Sequence, residues 1–197
     1  FSGFAIIFYF LELNYYFLIS LSFMGVLFAY LRYNFSKSKK IFMGDTGSLI
    51  MGFCIAFLTM KFLTIEYSIA SKAPFLIENR IIVALSILFI PLFDTIRVIG
   101  VRLLNKQSPF YPDRNHIHHI LIDSGLKHYK ASLFLAVINV LLMALIISLA
   151  TIYNSFEMMI FIAVIFISFL ILFYKLKKNL KSTNKFKKVI NTVNYFF

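Results

Sequence analysis

The chain has 197 residues, of which 60% are apolar and only 14% charged, and its net charge is +12 at pH 7. Soluble domains usually carry about a quarter charged residues, so this composition excludes an ordinary soluble protein and predicts an all-α, polytopic membrane protein. Without a soluble domain, the basic excess indicates contact with anionic lipid headgroups and not with nucleic acid. The single cysteine, Cys54, lies in an apolar run, which excludes a disulfide within the chain and predicts a packing thiol.

Six apolar segments follow one another along the chain. The first, residues 1–11, is too short to cross a membrane, because a helix needs about 20 residues to cover about 30 Å of hydrocarbon. We therefore expect the chain to start in the middle of a helix and to be the C-terminal part of something longer. The other segments are residues 15–31, 49–65, 81–98, 131–153 and 156–174. The sequence predicts a bundle of about five full spans plus a truncated first helix.

The predicted organisation is one membrane domain over residues 1–174, because no linker rich in Gly, Ser or Pro divides it, followed by a basic tail over residues 175–197. If the spans alternate, nearly all of the 20 basic residues fall on one side of the membrane, in the tail and in loops at about 32–48 and 99–130. The positive-inside rule predicts that this side is cytoplasmic.

The first polar loop contains the sequence MGDTGSL. Asp45, Thr46 or Ser48 could cap the free amides of the helix that follows, which is the structural interpretation. Alternatively, Gly44 and Gly47 on either side of the acid would allow the backbone to approach a ligand closely. An aspartate beside free amides at a helix start would then suit a phosphate-bound cation.

A second acid, Asp94, lies in the apolar sequence PLFDTIRVIG. If its helix begins near Arg80 at the outer face, Asp94 is about 21 Å along that helix, short of the inner boundary of the membrane. An acid at this depth indicates function, whereas an ion pair with Arg97 one turn further on is an equally weighted structural alternative. Pro91 predicts a kink just before the acid.

The loop SPFYPDRNHIHH holds three of the four histidines. His116 and His119 would share one face of a helix, with His118 beside them. A zinc site is only weakly indicated, because histidine ligands on a helix are usually four residues apart and no cysteine completes the set. Together with Asp113 and Arg114, the three imidazoles are more typical of a cradle for phosphates and a polar head group, and a solvated loop is the alternative.

Three motifs, MGDTGSLIMGF, PLFDTIRVIGVRLL and SPFYPDRNHIHHILIDSG, occur in an order and spacing that resemble the bacterial polyprenyl-phosphate N-acetylhexosamine-1-phosphate transferases. The most similar subgroup is the undecaprenyl-phosphate N-acetylglucosamine 1-phosphate transferases of surface-polysaccharide synthesis. The wider family includes the phospho-N-acetylmuramoyl-pentapeptide translocase of peptidoglycan synthesis. The resemblance covers about residues 30–125.

The resemblance implies transfer of a sugar 1-phosphate from a UDP-N-acetylhexosamine to undecaprenyl phosphate, with release of UMP. The implied cofactor is Mg²⁺, or Mn²⁺ in its place. The implied partners are the two substrates, membrane lipid and, in some members, a second copy in a homodimer, with no nucleic acid. The implied location is the bacterial inner membrane, with the active-site loops cytoplasmic.

The family motifs also imply a role for each site residue. Asp45 is expected to be the magnesium ligand and a catalytic residue, and catalytic roles are also expected of Asp94 and His116. Asp94 matches a recurring acid whose role in the family is less settled. The expected substrate-binding residues are Asp113, Arg114, His116, His118 and His119.

Part of the family pattern is missing from this chain. The resembling enzymes carry a cytoplasmic acidic pair and an Asn/Asp-Gly-rich loop upstream of the first motif, and neither is in the sequence. Their place would be before Phe1, so we expect an incomplete and inactive site in these 197 residues alone. Two other classes compete: an anion transporter or channel, which predicts an internal repeat or polar groups along several helices, and a non-catalytic remnant of the transferase. The sequence preceding Phe1 would discriminate between the transferase and the remnant.

Overall fold

The computed structural model describes residues 1–36, 38–110 and 115–193, with side chains up to residue 180. Within these ranges every regular element is helical and no strand occurs. The α-helices are α1 (Ser2–Phe10), α2 (Asn14–Asn34), α3 (Gly44–Leu63), α4 (Tyr67–Ala70), α5 (Arg80–Ile87), α6 (Phe89–Leu104), α7 (Ile117–Asp123), α8 (His128–Leu149) and α9 (Ser155–Val193), and a 3₁₀ turn at Ile77–Asn79 precedes α5.

Four of these helices are long and apolar enough to cross a membrane: α2, α3, α8 and the Ser155–Leu180 part of α9. A fifth candidate span arises if the bent pair Ile77–Ile87 and Phe89–Leu104 is counted as one. The predicted all-α, polytopic helical fold is confirmed. The chain divides into two compact units, unit 1 with Phe1–Leu88 and Asn139–Met159, and unit 2 with Phe89–Ile138 and Ile160–Phe197.

In unit 1, the short helix α1 is a central packing element. Its Phe4 and Phe8 side chains are fully buried, and the Phe4 ring also meets the ring of Phe62 at a centroid distance of 6.5 Å. Gly3 allows this helix to pack closely, because a Cβ atom at that position would lie 2.7 Å from the sulfur of Met143 and 3.1 Å from Cγ1 of Ile87. An apolar segment too short to span is therefore buried within its unit.

A buried asparagine fastens the start of α5 to the turn between α8 and α9, also in unit 1. Asn79 is fully buried, and its Nδ2 donates to the carbonyl oxygens of Ala150 (3.1 Å) and Tyr153 (2.8 Å). The Ser155 hydroxyl donates to Asn79 Oδ1 at 3.1 Å. The amide thus uses both its donors and its acceptor, as burial of a polar side chain requires.

The predicted kinked span over residues 81–98 is bent by 69° at a break, because α5 ends at Ile87 and α6 begins at Phe89. Pro91 falls in the first turn of α6, where a missing N–H is tolerated. The chain therefore breaks at Leu88 and not directly before Asp94. The depth predicted for Asp94 assumed a straight helix and does not apply, since Asp94 lies in the second turn of α6.

Two helices extend beyond their apolar segments into polar sequence. Helix α3 begins at Gly44, because the polar residues GDTGS form its first turn, although hydropathy places the span five residues later. Helix α9 continues through the basic sequence to Val193, so position 174 is not a helix end. Hydropathy locates the apolar part of a helix that can lie in a membrane. It does not detect a polar extension of the same helix.

In unit 2, α6 packs on α9 through a cluster of phenylalanine rings. The Phe93 ring lies 5.0 Å from that of Phe166, 5.5 Å from that of Phe169 and 6.1 Å from that of Phe173, measured between centroids. The next residue, Asp94, begins the polar face of α6. The apolar cluster therefore fixes the helix from which the polar contacts of the histidine loop are made.

Candidate active site

The carboxylate of Asp94 is the centre of the polar contacts in unit 2. Its Oδ1 accepts hydrogen bonds from Arg97 Nη2 and from the backbone N–H of Ile117, each at 3.0 Å. Its Oδ2 lies 2.9 Å from Nδ1 of His116, and 18% of the side chain is exposed. The structure therefore combines two interpretations of Asp94, because the acid pairs with Arg97 and also contacts the histidine motif.

Arg97 and Lys177 hold the residue that precedes the histidine motif. The Arg97 side chain is only 7% exposed, and its Nη2 also donates to the backbone oxygen of Asn115. Lys177, on α9, donates to Oδ1 of the same asparagine. Arg97 contributed to the basic surplus that predicts a cytoplasmic loop, but here it is a buried group that binds a backbone carbonyl and a carboxylate.

Arg102 fixes the other side of the loop. Its side chain, 9% exposed, donates from Nη1 to the backbone oxygen of Pro109. Two arginines of α6 thus bind the loop backbone at positions 109 and 115. Asp113 and Arg114, predicted to bind substrate, lie outside the described residues.

The three imidazoles of the motif lie next to one another at the start of α7. Ring centroids are 6.0 Å apart for His116 and His118, and 4.0 Å apart for His118 and His119. Partial desolvation of the ring lowers the pKa of His118, the charges of His119 and His116 lower it further, and Asp94 acts in the opposite direction. The His118 ring is therefore neutral at neutral pH, and the cluster does not carry three positive charges.

The packing of α7 determines which faces of this cluster are available. Ile117, Ile120 and Leu121 are buried, and they flank His118 and His119 on the short helix. His116 precedes the helix, and its backbone oxygen accepts from the N–H groups of His119 and Ile120. Among the described residues, Nδ1 of His119 is buried without a hydrogen-bond partner. The structure therefore brings His116, His118, His119 and Asp94 together.

Asp45 belongs to unit 1, where it lies in the first turn of α3 with an exposed side chain. The residue before the helix is Met43, and no side chain caps its start; the Ser48 hydroxyl donates to the backbone oxygen of Asp45. Capping by Asp45, Thr46 or Ser48 is therefore wrong as an explanation of this sequence. Within the described residues, the Asp45 carboxylate has no hydrogen bond or ion pair.

The two glycines that flank Asp45 have different roles. Gly44 has φ +67°, a left-handed conformation that glycine adopts without strain. A Cβ atom at Gly47 would lie 2.6 Å from Cγ of Met43, so this glycine makes space for a neighbouring side chain. The carboxylate of Asp45 is presented to solvent between them.

No group of three His, Cys, Asp or Glu side chains in the described part of the chain is arranged to hold a metal ion. The weakly indicated zinc site thus has no closed ligand shell there. A magnesium site has a different requirement, because Mg²⁺ commonly takes one or two carboxylates and completes its shell with water and substrate phosphates. The carboxylate of Asp45, exposed and without a partner among the described residues, fits that requirement, whereas the carboxylate of Asp94 already accepts hydrogen bonds.

Sequence reasoning missed Asn115 and Lys177. Asn115 stands directly before the histidine motif, but an asparagine in a polar loop carries no distinctive signal. The sequence places Lys177 only in a basic tail at the membrane surface. Its contact with Asn115 joins residues 62 positions apart. Such a contact has no local pattern in the sequence.

The fold and this site define a class: a multi-pass α-helical membrane protein with a histidine cluster fixed on a short helix beside a span. Comparison with known proteins goes further. A family model described as glycosyl transferase family 4 matches residues 1–63, which include Asp45. No solved structure matches the chain significantly.

Curated relatives carry more specific names. The chain is 39% identical over 139 residues to the "Probable undecaprenyl-phosphate N-acetylglucosaminyl 1-phosphate transferase" of Bacillus subtilis, a match that covers 70% of this chain and 36% of the relative. It is 36% identical over 95 residues to the "Undecaprenyl-phosphate alpha-N-acetylglucosaminyl 1-phosphate transferase" of Salmonella typhi, covering 48% and 23%. It is 32% identical over 106 residues to the transferase of that name from Escherichia coli K12, covering 54% and 26%.

The matched segments span between 23 and 36% of the length of these relatives. The family resemblance predicted from the three motifs is confirmed by these matches.

Proposed function

We propose that this chain is part of an enzyme that transfers N-acetylglucosamine 1-phosphate from UDP-N-acetylglucosamine to undecaprenyl phosphate, with release of UMP. The observation that carries the proposal is the ordered cluster of His116, His118 and His119, held by Asp94 and Arg97, in a membrane protein whose named relatives are transferases to this acceptor. The product would begin the synthesis of a cell-surface polysaccharide.

The proposed reaction is one displacement at phosphorus. An oxygen of the lipid phosphate forms a bond to the β-phosphorus of the UDP-sugar, and the bond from that phosphorus to the bridging oxygen breaks. UMP leaves with the electron pair, so no proton has to be added or removed. Because the attacking phosphate is already an anion, catalysis consists mainly of alignment and of neutralising charge. The imidazoles, as hydrogen-bond donors at the phosphates, would supply part of both.

We place the magnesium ion of this proposal on Asp45. Its carboxylate is exposed, has no partner within the described residues and stands at the start of α3, where free backbone amides also favour anionic groups. When bound, Mg²⁺ supplies positive charge to phosphate oxygens, and Mn²⁺ would do the same. Asp94 is not assigned to the metal, because its oxygens already accept hydrogen bonds from three groups.

The proposed location is the inner membrane of a bacterium, with the histidine loop in the cytoplasm, where a soluble nucleotide sugar is available. Nearly all of the 20 basic residues lie in segments that this orientation places inside. The test is a single cysteine at Gln107, which is exposed in the loop, in a Cys54→Ser background. An impermeant thiol reagent is expected to label it only after cell lysis, and labelling of intact cells would contradict the orientation.

The activity is tested by UMP release from UDP-N-acetylglucosamine, undecaprenyl phosphate and Mg²⁺. The protein is purified in two forms, as residues 1–197 and with whatever sequence precedes Phe1 in its natural context. We expect turnover from the longer form, loss of turnover with EDTA, and none from residues 1–197, because the acidic pair of the resembling enzymes is missing there. Absence of UMP release from the longer form would remove the proposed function. Equal turnover by both forms would show that the acids within these residues are sufficient.

A further inference from the structure

We propose that Asp94 is a positioning residue that fixes His116 as its Nδ1–H tautomer, so that proton exchange and ligand binding at this ring are confined to Nε2. The inference rests on the proposed function only for its catalytic consequence. Its structural part, the tautomer of one imidazole, can be measured without substrate. It replaces the expectation that Asp94 is itself a catalytic group.

The first step concerns how many further hydrogen bonds the Asp94 carboxylate can accept. Oδ1 of Asp94 accepts from both Arg97 and the backbone of Ile117, and Oδ2 faces His116. With 18% of the side chain exposed, a substrate cannot approach without displacing one of these donors. Arg97 compensates the largely buried negative charge, which would otherwise be costly. The Asp94 carboxylate is therefore bound by groups of the protein itself and is not available to a substrate.

The second step concerns the proton between Asp94 and His116. An ionised carboxylate has no hydrogen to donate, so a hydrogen bond of 2.9 Å requires that Nδ1 of His116 carries the proton. This holds for the neutral ring and for the imidazolium. The only nitrogen of His116 that can change its protonation state is then Nε2. The ring is 39% exposed, and no described residue bonds to Nε2.

The third step concerns orientation. The same carboxylate binds the ring of His116 and the N–H of Ile117, the first residue of α7. The backbone of the motif and the direction of the imidazole are thus set by one side chain on α6. A histidine fixed by a partner at one nitrogen presents the other in a defined direction, and as an imidazolium beside the carboxylate it can donate from Nε2 to a phosphate oxygen.

The experiment is ¹⁵N NMR of residues 1–197, labelled at histidine and held in lipid nanodiscs without substrate. The four histidines allow assignment by single His→Gln substitutions. At pH 8.5, above the ordinary imidazole pKa of about 6.5, protonated and unprotonated ring nitrogens have well-separated shifts. We expect His116 to be the Nδ1–H tautomer. An Nε2–H tautomer in the unmodified chain overturns the proposal, whether or not any variant folds.

The variant Asp94→Asn tests the proposal more stringently, because it should reverse the tautomer of His116. Two donors point at Oδ1, so the carboxamide oxygen remains there and its NH₂ group faces His116. Because an NH₂ group only donates, Nδ1 of His116 must give up its proton, and the tautomer reverses to Nε2–H. The matched control is Asp123→Asn, the same charge change at the end of α7, which is expected to leave the His116 shifts unchanged. A retained Nδ1–H tautomer in a folded Asp94→Asn variant contradicts the proposal.

The catalytic consequence is measured as UMP release by the longer of the two forms. We expect Asp94→Asn to lower kcat by about 100-fold, with KM for the UDP-sugar within about threefold, because Nδ1 of His116 loses its proton and no carboxylate supports an imidazolium that donates from Nε2 to a phosphate. Asp123→Asn is expected to stay within about twofold of the unmodified rate. If the unmodified protein releases no UMP, the proposed function fails and the tautomer result is unaffected. A reversed tautomer with unchanged kcat means that the proton on Nδ1 of His116 is irrelevant to turnover, which overturns the catalytic part.

Discussion

Asn139 on α8 donates from Nδ2 to the carbonyl oxygen of Ile87 at a distance of 2.9 Å, at the point where α5 ends. In a continuous helix, that carbonyl would accept from the backbone N–H four residues later. Residue 91 is proline and has no N–H to donate. A single asparagine in an otherwise apolar span thus supplies the hydrogen bond that proline removes, as is required of backbone groups away from water.

We expect Asn139→Leu to destabilise the protein by about 1 kcal/mol, the usual size of a hydrogen bond between membrane helices. The measurement is the thermal midpoint in detergent. The control is Ser168→Ala, because the Ser168 hydroxyl donates only to its own helix, at Val164, and its loss should matter little. Equal midpoints for Asn139→Leu and the control would contradict the role given to Asn139.

A double-mutant cycle tests the link to proline. Pro91→Ala restores a backbone N–H that would bond the Ile87 carbonyl if the helix became continuous, so Asn139→Leu is expected to cost less in that background. A cost that does not depend on residue 91 would mean that Asn139 stabilises the protein in some other way.

We expect Asp45→Asn to abolish Mg²⁺-dependent UMP release in the longer form while leaving the thermal midpoint nearly unchanged. The carboxylate is exposed and has no partner among the described residues, so its charge contributes little to folding. A variant that retains more than about a tenth of the rate would limit the lost stabilisation to about 1.4 kcal/mol, too little for a metal ligand. The control is Glu66→Gln, an exposed acid before α4.

The helices could largely be predicted from the sequence, whereas their polar ends could not. The apolar runs of α2, α3, α8 and α9 are long, and one-dimensional hydropathy finds them. The sequence predicts a kink directly before Asp94, but the helix breaks at Leu88, because Pro91 shows only that one backbone hydrogen bond is missing and not where the helix ends. Where the helix gives way depends on Asn139, which is distant in the sequence.

In the candidate site, too, local features could be predicted from the sequence and contacts between distant residues could not. Asp45 could be singled out because its flanking glycines and its place at a helix start are local features. For Asp94, the ion pair with Arg97 could be predicted from a spacing of three residues. The bond to His116 joins positions 22 residues apart across a loop, and no periodicity relates them. The role of Asp94 therefore requires the fold.

We expect Asn79→Ala to destabilise the protein by about 3 kcal/mol, which is more than the cost expected for Asn139→Leu. It removes a fully buried side chain with three hydrogen bonds and leaves the carbonyl oxygen of Tyr153 without the donor it has at 2.8 Å. Ser155→Ala removes only one bond to the same amide and should cost about 1 kcal/mol. Thermal unfolding in detergent measures both. A smaller effect for Asn79→Ala than for Ser155→Ala would contradict the network.

The last prediction concerns pH and His118. Desolvation of the ring and the nearby His119 and His116 lower its pKa below the ordinary 6.5, and His128 adds to this effect. Between the lowered pKa and 6.5, the unfolded chain therefore binds more protons at this position than the folded chain. Stability must rise with pH in that window and fall as the medium is acidified through it.

The measurement is the thermal midpoint of residues 1–197 from pH 8 to pH 5, for the unmodified chain and for His118→Gln. The unmodified chain is expected to lose stability below about pH 6.5. Glutamine cannot take up a proton, so the variant should lose less over the same range, and any change at pH 8 should be a constant offset. Other histidines and the carboxylates titrate in both proteins, which makes the difference between the two curves the informative quantity. If the curves are parallel, the environment of His118 does not disfavour its charged form, and the proximity of the imidazoles has no electrostatic consequence.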